Sequence, residues 1–295
     1  MQLQLKNIGM IKEANVSIEG LTVIAGENDT GKSTLSKALY VLIKEHHNIF
    51  GKEGDGYYLD VYRRIFKEEF SPKVSEINLN LDLGGNVSFG SFSGIIEEVK
   101  NIIFVETPLV WNFSDFFRDI AQIESQMRIE LDYPYLMKDL NFKLHIKNAS
   151  SGIDIKKKMT DLMGGEFKKD EMGRYYFDKQ GQRIELVNTA TGIKYFGLFQ
   201  ILSQNNYLNR DSILILDEPE VHLHPKWQLE MAKIIVELVS KGVNVVVNSH
   251  SPYMIEALER YGETSKIFMD FYLAEDGYID KVEDDNSKTG LFSRI

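Results

Sequence analysis

Apolar residues along this 295-residue chain recur with two periods, and the points where one period replaces the other mark its elements. Over the first 25 residues, short runs at Gln2–Lys6, Glu13–Ile18 and Leu21–Ala25 are separated by Gly9 and Gly20 and predict strands. From Lys32 to Lys44 the period lengthens: Leu35, Leu39 and Leu42 are spaced to share one face of a helix. Residues 46–75 are polar and aromatic, and alternation resumes at Ile77, Leu79 and Leu81 and again in NIIFVETP, Asn101–Pro108.

The middle of the chain reads as helical. Phe116, Ile120, Ile123 and Met127 recur at helical spacing behind Ser114, the expected cap, and a second helix is expected over Leu136–Lys147. The stretch FKKDEMGRYYFDKQGQRIEL predicts strands with turns at Gly173 and Gly181. The last third alternates helix Gly192–Leu202, strand Ile213–Leu216, helix Pro225–Ser240 closed by Gly242, strand Val243–Asn248 and helix Pro252–Tyr261. Strands made of unbroken apolar runs such as ILIL and VNVVV imply a sheet covered on both faces. The expectation is therefore an α/β nucleotide-binding core forming one domain over residues 1–295, split by a helical and hairpin insertion at 111–185.

Composition narrows the function classes. With 43% hydrophobic and 26% charged residues the chain is an ordinary globular one, and a formal charge of −10 argues against non-specific nucleic-acid binding over its whole surface. Lys147, Lys156, Lys157, Lys158, Lys168 and Lys169 form a local basic region, which leaves DNA or RNA contact open there. Absence of cysteine excludes disulfides, cysteine-ligated metal sites and a thiol nucleophile. The N-terminal residues lack a basic stretch followed by an apolar one, and no apolar run approaches the roughly 18 residues of a membrane span, so a cytoplasmic location without membrane contact is expected.

The chemistry is concentrated in two places. GENDTGKST, Gly26–Thr34, fits G-x-x-x-x-G-K-[ST] between an apolar strand and an amphipathic helix. Backbone N–H groups of such a turn, presented at a helix N-terminus, cradle phosphate oxygens. Gly26, Asn28, Asp29, Thr30, Gly31, Lys32, Ser33 and Thr34 are the candidate ATP-binding residues. Lys32 is expected to reach the β- and γ-phosphates, and Ser33 to help hold Mg²⁺.

A phosphate loop needs an acidic partner at the end of a neighbouring buried strand, and LILDEPEVHLHP supplies one. Asp217 follows the strand directly and is the second candidate for holding Mg²⁺, while Glu218 is placed to act as general base on a water. His222 and His224 admit two readings. With Glu220 they have the spacing of a metal hydrolase site, or they shape a strand-to-helix connection ahead of Pro225, a residue type favoured at the first helical position.

Taken together, GENDTGKST, DEPEVHLHP and VVVNSHSPYMIEAL resemble the ABC-type ATPases of the OLD, RecF and SMC group, especially the bacterial AAA-15/AAA-21-like ATPases of phage-defence systems such as Septu and the retrons. The resemblance spans nearly the whole chain. It implies a P-loop NTPase fold, an ABC-ATPase-like sheet flanked by helices, with the insertion as a second lobe between the Walker A loop and the signature. It further implies that Asp217 is the Walker B aspartate, Glu218 the catalytic glutamate, EVHLH the D-loop region and His250 the switch histidine that senses the γ-phosphate. NTATGIKYFGLFQIL stands where the signature is expected, so Thr191, Gly192 and Lys194 are candidates for contacting, in trans, a phosphate held by another subunit. It departs from L-S-G-G-Q everywhere but one glycine, with Thr191 for serine and Ile193 for the second glycine. No Q-loop glutamine is evident; by position Glu106 or Thr107 in FVETP stands in.

The function these readings favour is Mg²⁺-dependent ATP binding and hydrolysis by an ATP-gated homodimer or higher oligomer, controlling a separate effector protein in bacterial defence or a DNA-related process. The alternative is a nucleotide-gated clamp on DNA or a partner with negligible turnover. A third reading, that the chain is itself a nuclease, is disfavoured because only 45 residues follow His250, so a nuclease is expected on a separate polypeptide.

Overall fold

A computed structural model of the chain describes residues 1–49, 61, 64–66, 76–80, 86–88, 91–93, 99–128, 131, 134–221 and 223–282. The chain forms two compact units, the first comprising Met1–Phe104, Arg210–Val221 and Pro225–Ile295, the second Val105–Asn209 with His222–His224. The second unit thus contains the segment expected as an insertion and, in addition, the helix that follows it.

In chain order the elements begin with β1 (Gln2–Ile8), β2 (Ile11–Ser17), β3 (Leu21–Ala25) and α1 (Lys32–Ile49). Next come β4 (Glu76–Asn80), β5 (Asn86–Ser88), β6 (Ser91–Ser93) and β7 (Asn101–Val105). Helices α2 (Ser114–Met127), α3 (Tyr135–His145) and α4 (Lys156–Met163) precede β8 (Glu166–Lys169), β9 (Tyr175–Lys179) and β10 (Gln182–Glu185), and α5 (Thr191–Gln204) follows. The chain then runs through β11 (Ser212–Asp217), α6 (Pro225–Ser240), β12 (Asn244–Ser249), α7 (Pro252–Ser265), β13 (Met269–Glu275) and β14 (Tyr278–Lys281).

The first unit is built on a mixed sheet of order β6-β5-β4-β1-β2-β14-β13-β3-β12-β11-β7. Its centre is parallel, β13 with β3, β3 with β12 and β12 with β11, while β1 runs antiparallel to both β2 and β4. Every residue of β3 and β11 is buried, whereas β1 alternates. The unbroken apolar runs therefore belong to the central strands, covered on both faces, and the alternating ones to the antiparallel flank. Helices α6 and α7 pack on each other, and α1 contacts β12.

In the second unit β8, β9 and β10 form an antiparallel sheet. Helix α5 is buried from Lys194 to Ser203 without interruption, which removes any amphipathic pattern. Its Gln200 is 0% exposed and fully engaged: Oε1 accepts from the Phe167 N–H at 2.8 Å, and Nε2 donates to Thr160 Oγ1 at 3.2 Å.

Several expectations are corrected in detail. The first helix continues past Lys44 to Ile49, β12 is shifted by one residue, and α7 reaches Ser265. Ser114 is not a cap. The chain enters α2 through a 3₁₀ helix at Pro108–Phe113, capped by Thr107, whose side chain accepts the Leu109 N–H at 3.2 Å, so Ser114 is already helical. The stripe of Phe116, Ile123 and Met127 is exposed, and the buried residue of α2 is Phe117. Leu81 and most of 46–75 lie outside the described residues.

Candidate active site

Three central strands end side by side, and the candidate residues of the first unit sit at those ends. Parallel register sets Asp217 against Asn248, and Ser249 against Ala25. After β3 the chain turns through the glycine loop into α1. Gly26 has φ +155° and Gly31 φ +95°; a Cβ on Gly31 would stand 2.7 Å from Ile11 Cγ1, and one on Gly26 2.5 Å from the Ala274 carbonyl oxygen. Only glycine fits either position, which is why the loop is spelled as it is. Thr30 Oγ1 donates to the Glu27 carbonyl at 2.9 Å and braces the turn. Asn28 and Asp29 are exposed, Thr30, Gly31, Ser33 and Thr34 half-buried, and Lys32 is buried. Its ammonium donates to the Gly26 carbonyl at 2.9 Å and to that of Glu27. Burial pushes the Lys32 ammonium below its ordinary pKa, against the pull of Glu218, Asp217 and Glu220, which hold it up.

Asp217 is the hub. Its Oδ1 accepts from Ser33 Oγ at 3.0 Å and from Asn248 Nδ2 at 2.8 Å, and Asn248 Oδ1 accepts from Ser36 Oγ at 3.0 Å. A carboxylate can only accept, so the amide of Asn248 must turn its nitrogen to Asp217 and its oxygen to the Ser36 hydroxyl. Ser33 and Asp217 thus bring two hard oxygen atoms, the kind of ligand Mg²⁺ prefers, within 3.0 Å of each other.

Glu218 has φ +49°, a left-handed conformation uncommon for a non-glycine residue. Its N–H donates to the Asn248 carbonyl at 2.9 Å, and its own carbonyl accepts from Val221 N–H at 3.0 Å, so the turn after β11 is held from both sides. The carboxylate then meets His250: Nδ1 lies 3.1 Å from Glu218 Oε1. Glu220, only 5% exposed, supports the same histidine from below. Its Oε1 accepts from Ser249 Oγ at 2.7 Å and from the His250 N–H at 3.1 Å, while Oε2 is buried without a partner among the described residues. Burial pushes the Glu220 carboxyl above the usual carboxylate range.

Lys32, Ser33, Asp217, Glu218 and His250, chosen from sequence, are therefore gathered in one place. Sequence reasoning missed Asn248, Ser36 and the role of Glu220. A polar residue closing the apolar run VNVVVN was the available signal for Asn248.

The remaining candidates lie in the second unit. Thr191 and Gly192 open α5, whose N-cap residue, Ala190, makes no side-chain cap. Lys194 is buried: Nζ donates to Asn112 Oδ1 at 2.9 Å, and its carbonyl accepts from Trp111 Nε1 at 2.9 Å. Glu106 is exposed after β7, and Thr107 serves as the 3₁₀ cap. His224 is exposed, and His222 lies outside the described residues; among the described residues no group of three or more His, Asp or Glu is arranged to hold a metal ion. Within the basic region Lys156 meets Glu166 at 3.0 Å, and Lys168 meets Asp178 at 2.7 Å and Glu166 at 3.1 Å. Among the described residues no helix is long and apolar enough to cross a membrane.

Residues 112–255 match the AAA_15 family, an AAA ATPase domain. A stretch of 47 residues is 34% identical to the Septu protein PtuA of Bacillus thuringiensis, covering 16% of this chain and 12% of that protein, so the match spans about an eighth of the relative's length. Among solved structures, an SMC head bound to the C-terminal winged-helix domain of ScpA is similar over 98% of both chains, with 14% identity and a TM-score of 0.51. An SMC head with an extended coiled coil, bound to the C-terminal domain of ScpA from Pyrococcus furiosus, is similar over 98% of this chain and 97% of that one, at 13% identity and a TM-score of 0.47. The SMC head matched at a TM-score of 0.51 shows the fold, a mixed sheet flanked by helices.

Proposed function

We propose that this chain, an ABC/SMC-like AAA ATPase by its fold and its matched segment, binds ATP with Mg²⁺ and hydrolyses it at sites completed by a second copy. The observation that carries the reading is the linked set in which Asp217 Oδ1 joins Ser33 to Asn248 while the adjacent Glu218 contacts His250 at 3.1 Å. Loop amides and Lys32 would hold the β- and γ-phosphates, and Ser33 and Asp217 would hold the metal ion. When bound, that ion neutralises charge on the phosphate oxygens. Glu218 takes a proton from the attacking water as the water oxygen bonds to the γ-phosphorus and the bond to the β–γ bridging oxygen breaks, releasing ADP and phosphate. His250, braced by the Glu220 carboxylate on its backbone N–H, keeps Glu218 oriented.

The composite part of the reading rests on α5. Its first turn has backbone N–H groups without a side-chain cap, and a helix N-terminus attracts a phosphate. Thr191 and Gly192 are then the trans contacts, and Lys194, tied to Asn112, fixes the helix from behind. The short Septu similarity and the three motifs support a role in bacterial defence through a separate effector protein.

Glu218→Gln keeps shape and hydrogen bonding but removes the base, so Mg-ATP should stay uncleaved and a dimer should accumulate, read by light scattering. Glu218→Gln with Gly192→Asp should bind ATP yet stay unassociated, because a carboxylate at that helix start repels the partner's phosphate. A Glu218→Gln variant that still turns over ATP, or shows no nucleotide-dependent association, refutes the mechanism.

A further inference from the structure

Asn248 is the penultimate residue of β12, fully buried, and it ends a run of three buried valines with an amide. A further apolar residue would satisfy a strand covered on both faces, so packing alone gives no reason for a polar one. A buried amide is tolerated only where its hydrogen bonds are made.

The Asn248 amide closes a ring of four side chains. Ser33 and Ser36, three residues apart, share a face at the start of α1. Ser33 Oγ donates to Asp217 Oδ1 at 3.0 Å, Asn248 Nδ2 donates to the same oxygen at 2.8 Å, and Ser36 Oγ donates to Asn248 Oδ1 at 3.0 Å. The helix that follows the phosphate loop is thereby tied through two hydroxyls to the ends of β11 and β12. The Asn248 main chain adds a tie of its own, since its carbonyl accepts from Glu218 N–H at 2.9 Å.

The ring bears on what Ser33 and Asp217 can do together. A hydroxyl that donates its proton to a carboxylate keeps its oxygen lone pairs for a cation. Ser33 does both only while Asp217 Oδ1 stays in place. The torsion that turns an aspartate carboxylate is broad, and a second donor on the same oxygen, itself pinned by Ser36, narrows it. Groups that orient metal-binding side chains in this way, without touching the metal, typically change metal affinity by about 10–100-fold when removed.

We propose that Asn248 is a positioning residue for the divalent cation of the nucleotide site, acting through Asp217 and held in place by Ser36. This rests on the Mg-ATP reading and goes beyond it, assigning part of the cation's affinity to two residues outside its ligand set.

Equilibrium binding of a fluorescent ATP analogue to the full chain, in EDTA and then across a Mg²⁺ titration, tests it. Mg²⁺ should tighten binding to wild type, and Ser33→Ala and Asp217→Ala should each raise the Mg²⁺ concentration that gives half of that tightening. Asn248→Ala should raise it at least about tenfold while leaving affinity in EDTA within about twofold of wild type, whereas a general loss of structure would lower both. Ser36→Ala should shift the same quantity in the same direction by less. On top of Asp217→Ala, Asn248→Ala should add nothing, because the group it acts through is gone. If neither Ser33→Ala nor Asp217→Ala moves the Mg²⁺ dependence, the Mg-ATP reading fails and the proposal with it. If they do, the positioning role alone is overturned by an Asn248→Ala variant that leaves the Mg²⁺ dependence unmoved, weakens binding equally in EDTA, or adds to Asp217→Ala. Should Asn248→Ala not fold, Ser36→Ala decides by the same criteria.

Discussion

Replacing Asn248 tests whether the hydrogen-bonded chain beneath the candidate active site has the energetic weight its geometry implies. The side chain is 0% exposed and bridges Asp217 and Ser36. Asn248→Ala removes a hydrogen bond to a charged group, worth about 1.5–3 kcal/mol, and takes the acceptor from Ser36, worth about 1 kcal/mol because a helical hydroxyl can turn to the carbonyl one turn back. The expected loss is about 2.5–4 kcal/mol. For a chain of this size that is a fall in Tm of about 4–6 °C. Asn248→Asp is the sharper probe. It preserves shape and the bond to Ser36 but sets a carboxylate where an N–H group lies 2.8 Å from Asp217 Oδ1. Two carboxylates at that distance cannot both ionise, so their shared proton is held above the ordinary carboxylate range. A raised folded-state pKa favours the folded state at acid pH, and that support is lost as pH rises. Asn248→Asp should therefore be the less stable of the two at pH 7 and recover toward wild type near pH 5. Scanning calorimetry of the three proteins at both pH values measures this. An Asn248→Asp variant melting within about a degree of wild type at pH 7, or gaining nothing on acidification, refutes the argument.

Lys32→Ala should weaken binding of a fluorescent ATP analogue in Mg²⁺ by at least about 30-fold, the equivalent of about 2 kcal/mol, and equal affinity of the two proteins would remove the phosphate-loop assignment. Glu220→Gln tests burial as the cause of the raised Glu220 pKa. Because the folded protein favours the protonated acid, wild type loses stability relative to Glu220→Gln as pH climbs from the ordinary carboxylate value through the raised one, and parallel Tm curves across that window would contradict it.

The sequence by itself determined whatever depends on a few consecutive residues. GENDTGKST encodes its own turn, because Gly26 and Gly31 adopt backbone angles and close approaches that admit no side chain, and Lys32 and Ser33 follow them directly. The unbroken apolar runs before Asp217 and Asn248 likewise identified central strands, because burial on both faces is written into composition. Only the tertiary structure decided which polar groups pair. Asp217 meets Asn248 because β11 and β12 lie in that register, and sequence alone does not fix a parallel register between strands joined by a helix. Ser36 reaches Asn248, and Glu220 reaches the His250 backbone, by the same long-range placement. For α2 the helical period was legible, but its buried residue, Phe117, was not, since periodicity reveals an apolar stripe and says nothing of whether a neighbour covers it.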